Sequence, residues 1–305
     1  MKRIFREVRG RARRWRRQLE LARKVAGSID SPAYSEFSGV FPLHYPALDI
    51  ELDATPEQLS RMLERIEQSW SKMGEDWPHF SVLSQEQFYP RNLAGSINQF
   101  WASGESEAEV TLELLHRLGF DPAGKTCVEY GCGLGRVTMP LATGFAKVHA
   151  YDISASHLAL ARQRAEAVGA ANVQFHHRGG GVLAPLEDCD FFSSRLVFQH
   201  NPPPVMRELV RLALASLRSG GVAVFEIPVY LSGYSFRINE YLENPSKERM
   251  EMHCLPQSEI FALVETTGCR LIEVREARTV ELFKECLGNY LVIGRPTAPY
   301  TDALT

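Results

Sequence analysis

Two acids and three glycines carry the chemistry that can be read first in this chain. Glu129 lies two residues before Gly131, which opens a turn with glycine at alternate positions, Gly131, Gly133 and Gly135. Ahead of the turn, Thr126 to Tyr130 form an apolar-leaning run that reads as a buried strand. After it, Val137 to Leu141 begin a helical pattern. A strand, a glycine turn and a helix start bring backbone N–H groups close to a ligand. Spacing decides the kind of ligand. A dinucleotide turn needs its third glycine at position 136, where the helix packs on the strand, and this chain has Arg136 there. An acid just before the turn suits a ligand with an ammonium rather than a pyrophosphate. Asp152, at the end of Val148-His149-Ala150-Tyr151, lies about 20 residues past the glycines, where a ribose-binding carboxylate belongs. Two ordinary surface acids at strand ends are the weaker alternative.

The elements needed to position these residues follow in order. Strands are expected to end at Tyr130 and Asp152, at Asn172 to His176, at Asp190 to Phe198 and at Val222 to Ile227. Helices lie between them: one capped by Ser154 or Ser156, and one carrying Met206, Leu209, Val210, Ala213 and Leu217, stopped by Gly220-Gly221. Leu271 to Val274 and Tyr290 to Ile293 close the pattern. Strands alternating with helices predict parallel βαβ units and a doubly wound α/β sheet. Residues 123–296 form this core, with an insertion at 229–255 and a tail at 297–305. Residues 27–122 read as a partly helical cap. Its first helix starts at Thr55-Pro56 with Gln58 in reach of a capping box, and Gly74 is expected to end it. Trp77 to Phe80 and Asn98 to Gly104 read as irregular aromatic segments, and a further helix spans about Ser106 to Leu118.

The E-x-G-x-G-x-G wording with Asp152 resembles the first motifs of the class I S-adenosylmethionine (SAM) methyltransferases. The likeness runs from Glu129 to Ile293. Gly131-Cys132-Gly133-Leu134-Gly135-Arg136, Tyr151-Asp152-Ile153-Ser154, Phe198-Gln199-His200 and Leu217-Arg218-Ser219-Gly220-Gly221 look like the branch acting on small molecules and sugars. The helix around Ser60 to Ser71, followed by Trp77 to Leu83, resembles bacterial members that modify surface polysaccharides. The resemblance implies a mostly parallel seven-stranded sheet and SAM as cofactor. By position it puts Gly131, Gly133 and Gly135 near the methionine and ribose of SAM, and Glu129 near the ammonium. Asp152 would take the ribose hydroxyls, Ile153 would lie on adenine, and Phe198 and Gln199 would line the methyl-donor side. Phe100, Trp101, Ser103 and Gly104 would close over the cofactor, or form the aromatic core of the cap. Tyr230, Tyr234 and His253 would roof the acceptor pocket, with plain packing as their alternative. One departure is Arg178-Gly179-Gly180-Gly181, where relatives carry an acid for the adenine amino group.

His200 is the candidate general base, since it follows the fourth strand at the edge where ligands bind in open α/β folds. Methyl transfer from SAM to a hydroxyl of a small molecule, sugar or lipid-linked glycan leads the functional readings. N-methylation of a small amine, a SAM-binding regulatory or scaffold protein, and a dinucleotide oxidoreductase are the alternatives. No metal is expected: the fourth strand lacks paired acids, and adjacent His176 and His177 point to opposite faces of a strand.

Composition narrows the partners. With 45% hydrophobic and 23% charged residues the chain is globular. Six scattered cysteines without a C-x-x-C pair read as reduced thiols of a cytoplasmic protein. The net charge of −3 hides an asymmetry, because residues 1–24 hold eleven Lys/Arg against Glu7 and Glu20, or +9, which leaves −12 elsewhere. A body that acidic is a poor match for nucleic acid. Residues 1–26 read as a basic amphipathic helix with Ile4, Val8, Ala12, Trp15 and Leu19 on one face. It lacks the apolar core of a signal peptide and suits the anionic inner face of a membrane.

Overall fold

The computed structural model describes residues 46–244, 250–277 and 286–297. The basic segment 1–26 therefore lies outside the described residues, as do most of the linker after it and the end of the tail. The chain divides into two units, Met1–Leu48 and Asp49–Thr305.

The second unit centres on a seven-stranded sheet built from β2 (Thr126–Tyr130), β3 (Lys147–Asp152), β4 (Val173–His177), β5 (Cys189–Ser194), β6 (Leu217–Leu231), β8 (Arg270–Glu276) and β9 (Cys286–Gly294). The order across the sheet is β4-β3-β2-β5-β6-β9-β8. The first five run parallel, and β9 enters antiparallel between β6 and β8. This is the doubly wound, mostly parallel seven-stranded sheet expected from the sequence. A separate parallel pair joins β1 (Asp49–Ile50) to β7 (Ser235–Phe236).

Strand alternation sorts the core into two layers. Val128, Phe192, Ala223 and Ile293 face one way, and pack with helices α1 (Pro56–Asp76), α6 (Pro203–Ala215) and α8 (Gln257–Thr266). Cys127, Phe191, Val222 and Val292 face the other way, against α3 (Ile97–Arg117) and α4 (Thr138–Ala142). Two short helices, α2 (Pro78–Val82) and α7 (Ile238–Glu243), and the longer α5 (Ala155–Val168) complete the unit.

Several boundaries differ from expectation. Thr55 does cap α1, through the reciprocal capping box with Gln58. Gly74, however, does not end the helix, which runs on to Asp76. A Cβ there would meet Ser156 Oγ at 2.3 Å and His157 Nδ1 at 2.7 Å, so the glycine serves a close crossing with the start of α5. Pro78 to Phe80 are helical, and α3 begins at Ile97 rather than Ser106, taking in the second aromatic segment. Trp77 and Phe80 of the first segment pack on Tyr89, and Phe100 of the second is fully buried, contacts that periodicity over so few residues does not reveal. Within residues 49–122, Met62, Leu63 and Ile66 of α1 are buried in the sheet's main cluster, while Phe88 and Phe100 form a smaller cluster with Leu134. Gly220-Gly221 lie inside β6, which continues to Leu231 and absorbs the start of the expected insertion. Among the described residues no helix is long and apolar enough to cross a membrane.

Candidate active site

Strand order reverses between β2 and β5, and the carboxyl ends of β2, β3 and β5 open there into a crevice, the usual place for a ligand in an open α/β sheet. A cavity of about 950 Å³, counting its open mouth, lies at this edge. Its floor is the glycine turn and its walls carry Glu129, Asp152, Ile153 and His200. Tertiary contacts add Ile66 and Trp70 of α1, Ser81 and Val82 at α2, Glu107 of α3, Arg136, and Arg195 to Val197 after β5.

The turn is shaped by its glycines. Gly131 and Gly133 have φ of 80° and 53°, a region costly for other residues. A Cβ on Gly131 would stand 2.1 Å from Val197 Cγ2, and one on Gly133 would stand 2.7 Å from Val82 Cγ2. The backbone therefore passes where a side chain would block the cavity. Asp152 fastens the turn, because its Oδ2 accepts from the Gly133 N–H at 2.7 Å. Its Oδ1 accepts from the Ser154 N–H at 2.8 Å, and Ser154 in turn caps α5 by accepting from the His157 N–H. Each carboxylate oxygen keeps a further lone pair, so a vicinal diol can be taken at the same residue.

Glu129 is buried, and its Oε2 accepts from Thr138 Oγ1 at 2.5 Å. Burial, helped by the charges of Glu107 and Asp152, outweighs Thr138 and Arg136 and lifts its pKa to about 7. A carboxyl so poised gains most from a cation placed beside it. Next to it runs an ionic chain: Arg136 Nη2 donates to Glu107 Oε2 at 2.6 Å, and Arg195 Nη1 donates to the same oxygen. Arg195 Nε donates to the Tyr290 hydroxyl at 2.7 Å. Burial alone would lower the Arg195 pKa, but Glu107 and Tyr290 hold it above its ordinary value. The buried Arg136 Nε has no hydrogen-bond partner among the described residues. The donor set thus fits a ligand with a diol near Asp152, an apolar ring near Ile153, and an ammonium with a nearby anion between Glu129 and the two arginines.

His200 lines the same cavity. Its Nδ1 stands 2.9 Å from the Glu251 carbonyl oxygen, and Trp70 lies against the ring at 4.9 Å between centroids. Enclosure lowers its pKa to about 4, the Glu251 hydrogen bond opposing only in part.

Other expected site residues lie elsewhere. Phe198 is fully buried and packs on Phe225. Gln199 is also buried, its carbonyl accepting from the His253 N–H at 2.7 Å. A short 3-10 turn at Phe198–His200 rotates both off the cavity, and Leu196 and Val197 take that wall. Phe100, Trp101, Ser103 and Gly104 do not close over the cavity either. Phe100 packs with Phe88 and Leu134, and Trp101 stacks under the Arg164 guanidinium at 4.3 Å. Ser103 accepts from Arg136 Nη1 at 3.2 Å, and a Cβ on Gly104 would stand 2.0 Å from the Arg136 carbonyl oxygen. These residues seat α3 on the glycine turn from behind. Tyr230, Tyr234 and His253 lie off the cavity lining, with Tyr234 and His253 bonded to each other at 2.7 Å. His176 stacks on Tyr151, while His177 reaches the Ile153 carbonyl at 3.0 Å. Among the described residues no group of three His, Cys, Asp or Glu is placed to hold a metal ion.

Where the expected acid is missing, the loop after β4 packs on α1 instead. Glu67 of α1 accepts from the Gly180 N–H at 2.7 Å, and a Cβ on Gly179 would stand 1.9 Å from its Oε1. Gly179 and Gly181, whose added Cβ would stand 2.4 Å from Ser60 Oγ, make room for this helix.

Comparison with known proteins agrees with the fold. Residues 127–221 match a protein family described as a methyltransferase domain. The release factor glutamine methyltransferase of Enterococcus faecalis is 28% identical over 158 residues, which is 51% of this chain and 53% of that protein. The chain thus spans about half the length of this curated relative. The crystal structure of the [4+2]-cyclase SpnF superposes with a TM-score of 0.50 at 12% identity, covering 83% of this chain and 100% of SpnF. Magnesium protoporphyrin IX methyltransferase from Synechocystis PCC 6803, solved with bound S-adenosylhomocysteine, gives 0.47 at 18% identity over 65% of this chain and 87% of its own. The fold is that of the class I methyltransferases. It is shared by a protein described as a cyclase, so the reaction has to be argued from the site.

Proposed function

We propose that this protein binds SAM and transfers its methyl group to a hydroxyl of a small molecule, a sugar or a glycan. The observation that carries the reading is the pairing, in one cavity, of a turn-fastened Asp152 with a buried Glu129 whose pKa stands at about 7. Asp152 would hold the ribose diol, Ile153 would cover the adenine, and Glu129 would face the ammonium, with Arg136 and Arg195 near the carboxylate. When bound, SAM supplies a methyl group on a sulfonium, an electrophile that needs only an in-line nucleophile. Trp70, Val82 and Val197 would keep water from that line. His200 Nε2 would take the acceptor's proton as the new O–C bond forms and the S–C bond breaks.

A second reading is N-methylation. A ring nitrogen with a pKa near 4 is a weak base, and an amine requires less help in losing its proton than a hydroxyl. The glutamine-modifying relative is consistent with that chemistry. Calorimetric titration with S-adenosylhomocysteine and with NAD tests the cofactor class. Tight binding of NAD and none of S-adenosylhomocysteine would overturn the reading. Labelled SAM offered to matched panels of hydroxyl and amine acceptors then separates the two reactions.

A further inference from the structure

His200 makes its hydrogen bond on one side only. A carbonyl oxygen can only accept, so the contact with Glu251 puts the hydrogen on Nδ1 and leaves the lone pair on Nε2. Nε2 has no hydrogen-bond partner among the described residues and is not sealed from the cavity. The carbonyl that sets this tautomer belongs to a strap, residues 250–255. The strap is tied to the 3-10 turn that carries His200 by the His253 N–H on the Gln199 carbonyl at 2.7 Å, and to β6 by the Leu255 N–H on the Pro228 carbonyl at 3.0 Å.

The Glu251 side chain holds the strap from the other direction. Its Oε1 accepts from Arg65 Nη2 at 2.5 Å, and its Oε2 stands 3.4 Å from His253 Nε2. His253 Nδ1 then accepts from the Tyr234 hydroxyl at 2.7 Å. Arg65 also lies 3.9 Å over the Tyr241 ring and donates to the carbonyls of Tyr241 and Asn244. Burial works to raise the Glu251 pKa, but the hydrogen bonds from His253 and Arg65 win and hold it at about 2. Arg65 sits on α1, the helix that also presents Trp70 to the His200 ring. One helix therefore packs against the imidazole and anchors the group that orients it.

We propose that Arg65 and Glu251 form a positioning clamp, in which the ion pair ties the strap to α1 so that the Glu251 carbonyl keeps His200 in its Nδ1–H tautomer with Nε2 turned to the acceptor. The inference rests on His200 being the proton acceptor. Neither Arg65 nor Glu251 lines the cavity, so both act through His200 and not on substrate.

The test uses the full chain with Arg65→Met, Glu251→Gln and Arg65→Lys. Nitrogen-15 NMR of the histidine rings, assigned with His200→Gln, reads the tautomer without any need for turnover. In the wild type His200 should carry its proton on Nδ1, and in Arg65→Met and Glu251→Gln the two tautomers should mix. In those two variants kcat should fall about 10- to 100-fold, the scale of a small misplacement of a catalytic group. The dissociation constant for S-adenosylhomocysteine and the KM for SAM should change less than about twofold, because uniform binding is untouched. Arg65→Lys keeps the charge without the fork and should recover part of kcat. An unchanged tautomer with unchanged kcat would overturn the clamp, as would cofactor affinity falling in step with kcat. If Arg65→Met does not fold, Glu251→Gln carries the same comparison. A wild-type protein that methylates no acceptor would refute the functional reading, while the tautomer measurement still decides the clamp.

Discussion

Asp152→Ala probes the site most directly, because the structure gives the residue two duties. One is internal: its two oxygens accept the Gly133 and Ser154 N–H groups at 2.7 and 2.8 Å. Hydrogen bonds to a charged group contribute about 1.5–3 kcal/mol each. Gly133 lines the cavity and its N–H can turn to water there, but Ser154 is fully buried and its N–H would be left unpaired, so the stability lost should be about 1–3 kcal/mol. That is a fall in Tm of a few degrees for a chain of this size. The second duty is to the ligand. Two ribose hydroxyls on the same carboxylate, counted at the lower end of that range, contribute about 3 kcal/mol. The dissociation constant for S-adenosylhomocysteine should therefore rise about 100-fold. Calorimetry gives that number, and a 2′-deoxy analogue of the ligand separates the two duties. The analogue should bind more weakly than S-adenosylhomocysteine in the wild type, yet show little further loss in Asp152→Ala, since the hydroxyl's partner is already gone. Asp152→Asn should behave almost as badly, because its NH2 would face one of the two backbone donors. Affinity within about threefold of wild type in Asp152→Ala would refute the ribose assignment.

Glu129 should make cofactor binding pH-dependent. Its pKa of about 7 in the free protein must drop when an ammonium binds beside it. Affinity for S-adenosylhomocysteine should then be full above pH 7 and fall up to about tenfold per unit below it. Protons should be released on binding near neutrality, and Glu129→Gln should flatten the profile; a flat wild-type profile would count against the contact. Gly104→Ala tests how α3 is seated. Helix propensity alone favours the substitution by about 1 kcal/mol, but a Cβ 2.0 Å from the Arg136 carbonyl oxygen leaves no room. Thermal unfolding should shift down by the equivalent of about 1–3 kcal/mol of overpacking, whereas a gain would show that α3 stands off the turn. His200→Ala should lower kcat about 10²-fold, the lower end for a general base, given a pKa near 4. S-adenosylhomocysteine affinity should stay nearly intact, and a loss of only a few-fold in kcat would favour N-methylation. Residues 1–24, with an excess of nine positive charges, should hold the full chain on phosphatidylglycerol vesicles at low salt. That binding should vanish at high salt, and equal sedimentation of a chain starting at Gly27 would dismiss it.

What could be read from the sequence was local. Glu129, the alternate glycines and Asp152 lie within 24 residues of one another, and their turn, cap and strand ends follow from sterics and backbone hydrogen bonding over a few positions. Alternating strands and helices likewise implied the sheet, because each element's period is written in its own residues. Phe198 and Gln199 are buried in a 3-10 turn and leave the cavity wall to Leu196, Val197 and His200, an arrangement that the strand pattern does not carry. Gly74 and the segment from Asn98 to Gly104 were misread for a related reason. A glycine or an aromatic run looks like a break unless the surface packed against it is known. Only the tertiary structure decided the rest of the cavity. Glu107 meets Arg195 across 88 positions, and Arg65 meets Glu251 across 186. No periodicity links residues so far apart. They meet because strand order carries β5 next to β2, and because α1 and α3 must bury their apolar stripes on the sheet. That burial leaves Glu107 and Trp70 on the cavity wall, and Arg65 on Glu251 behind His200, as a consequence of packing.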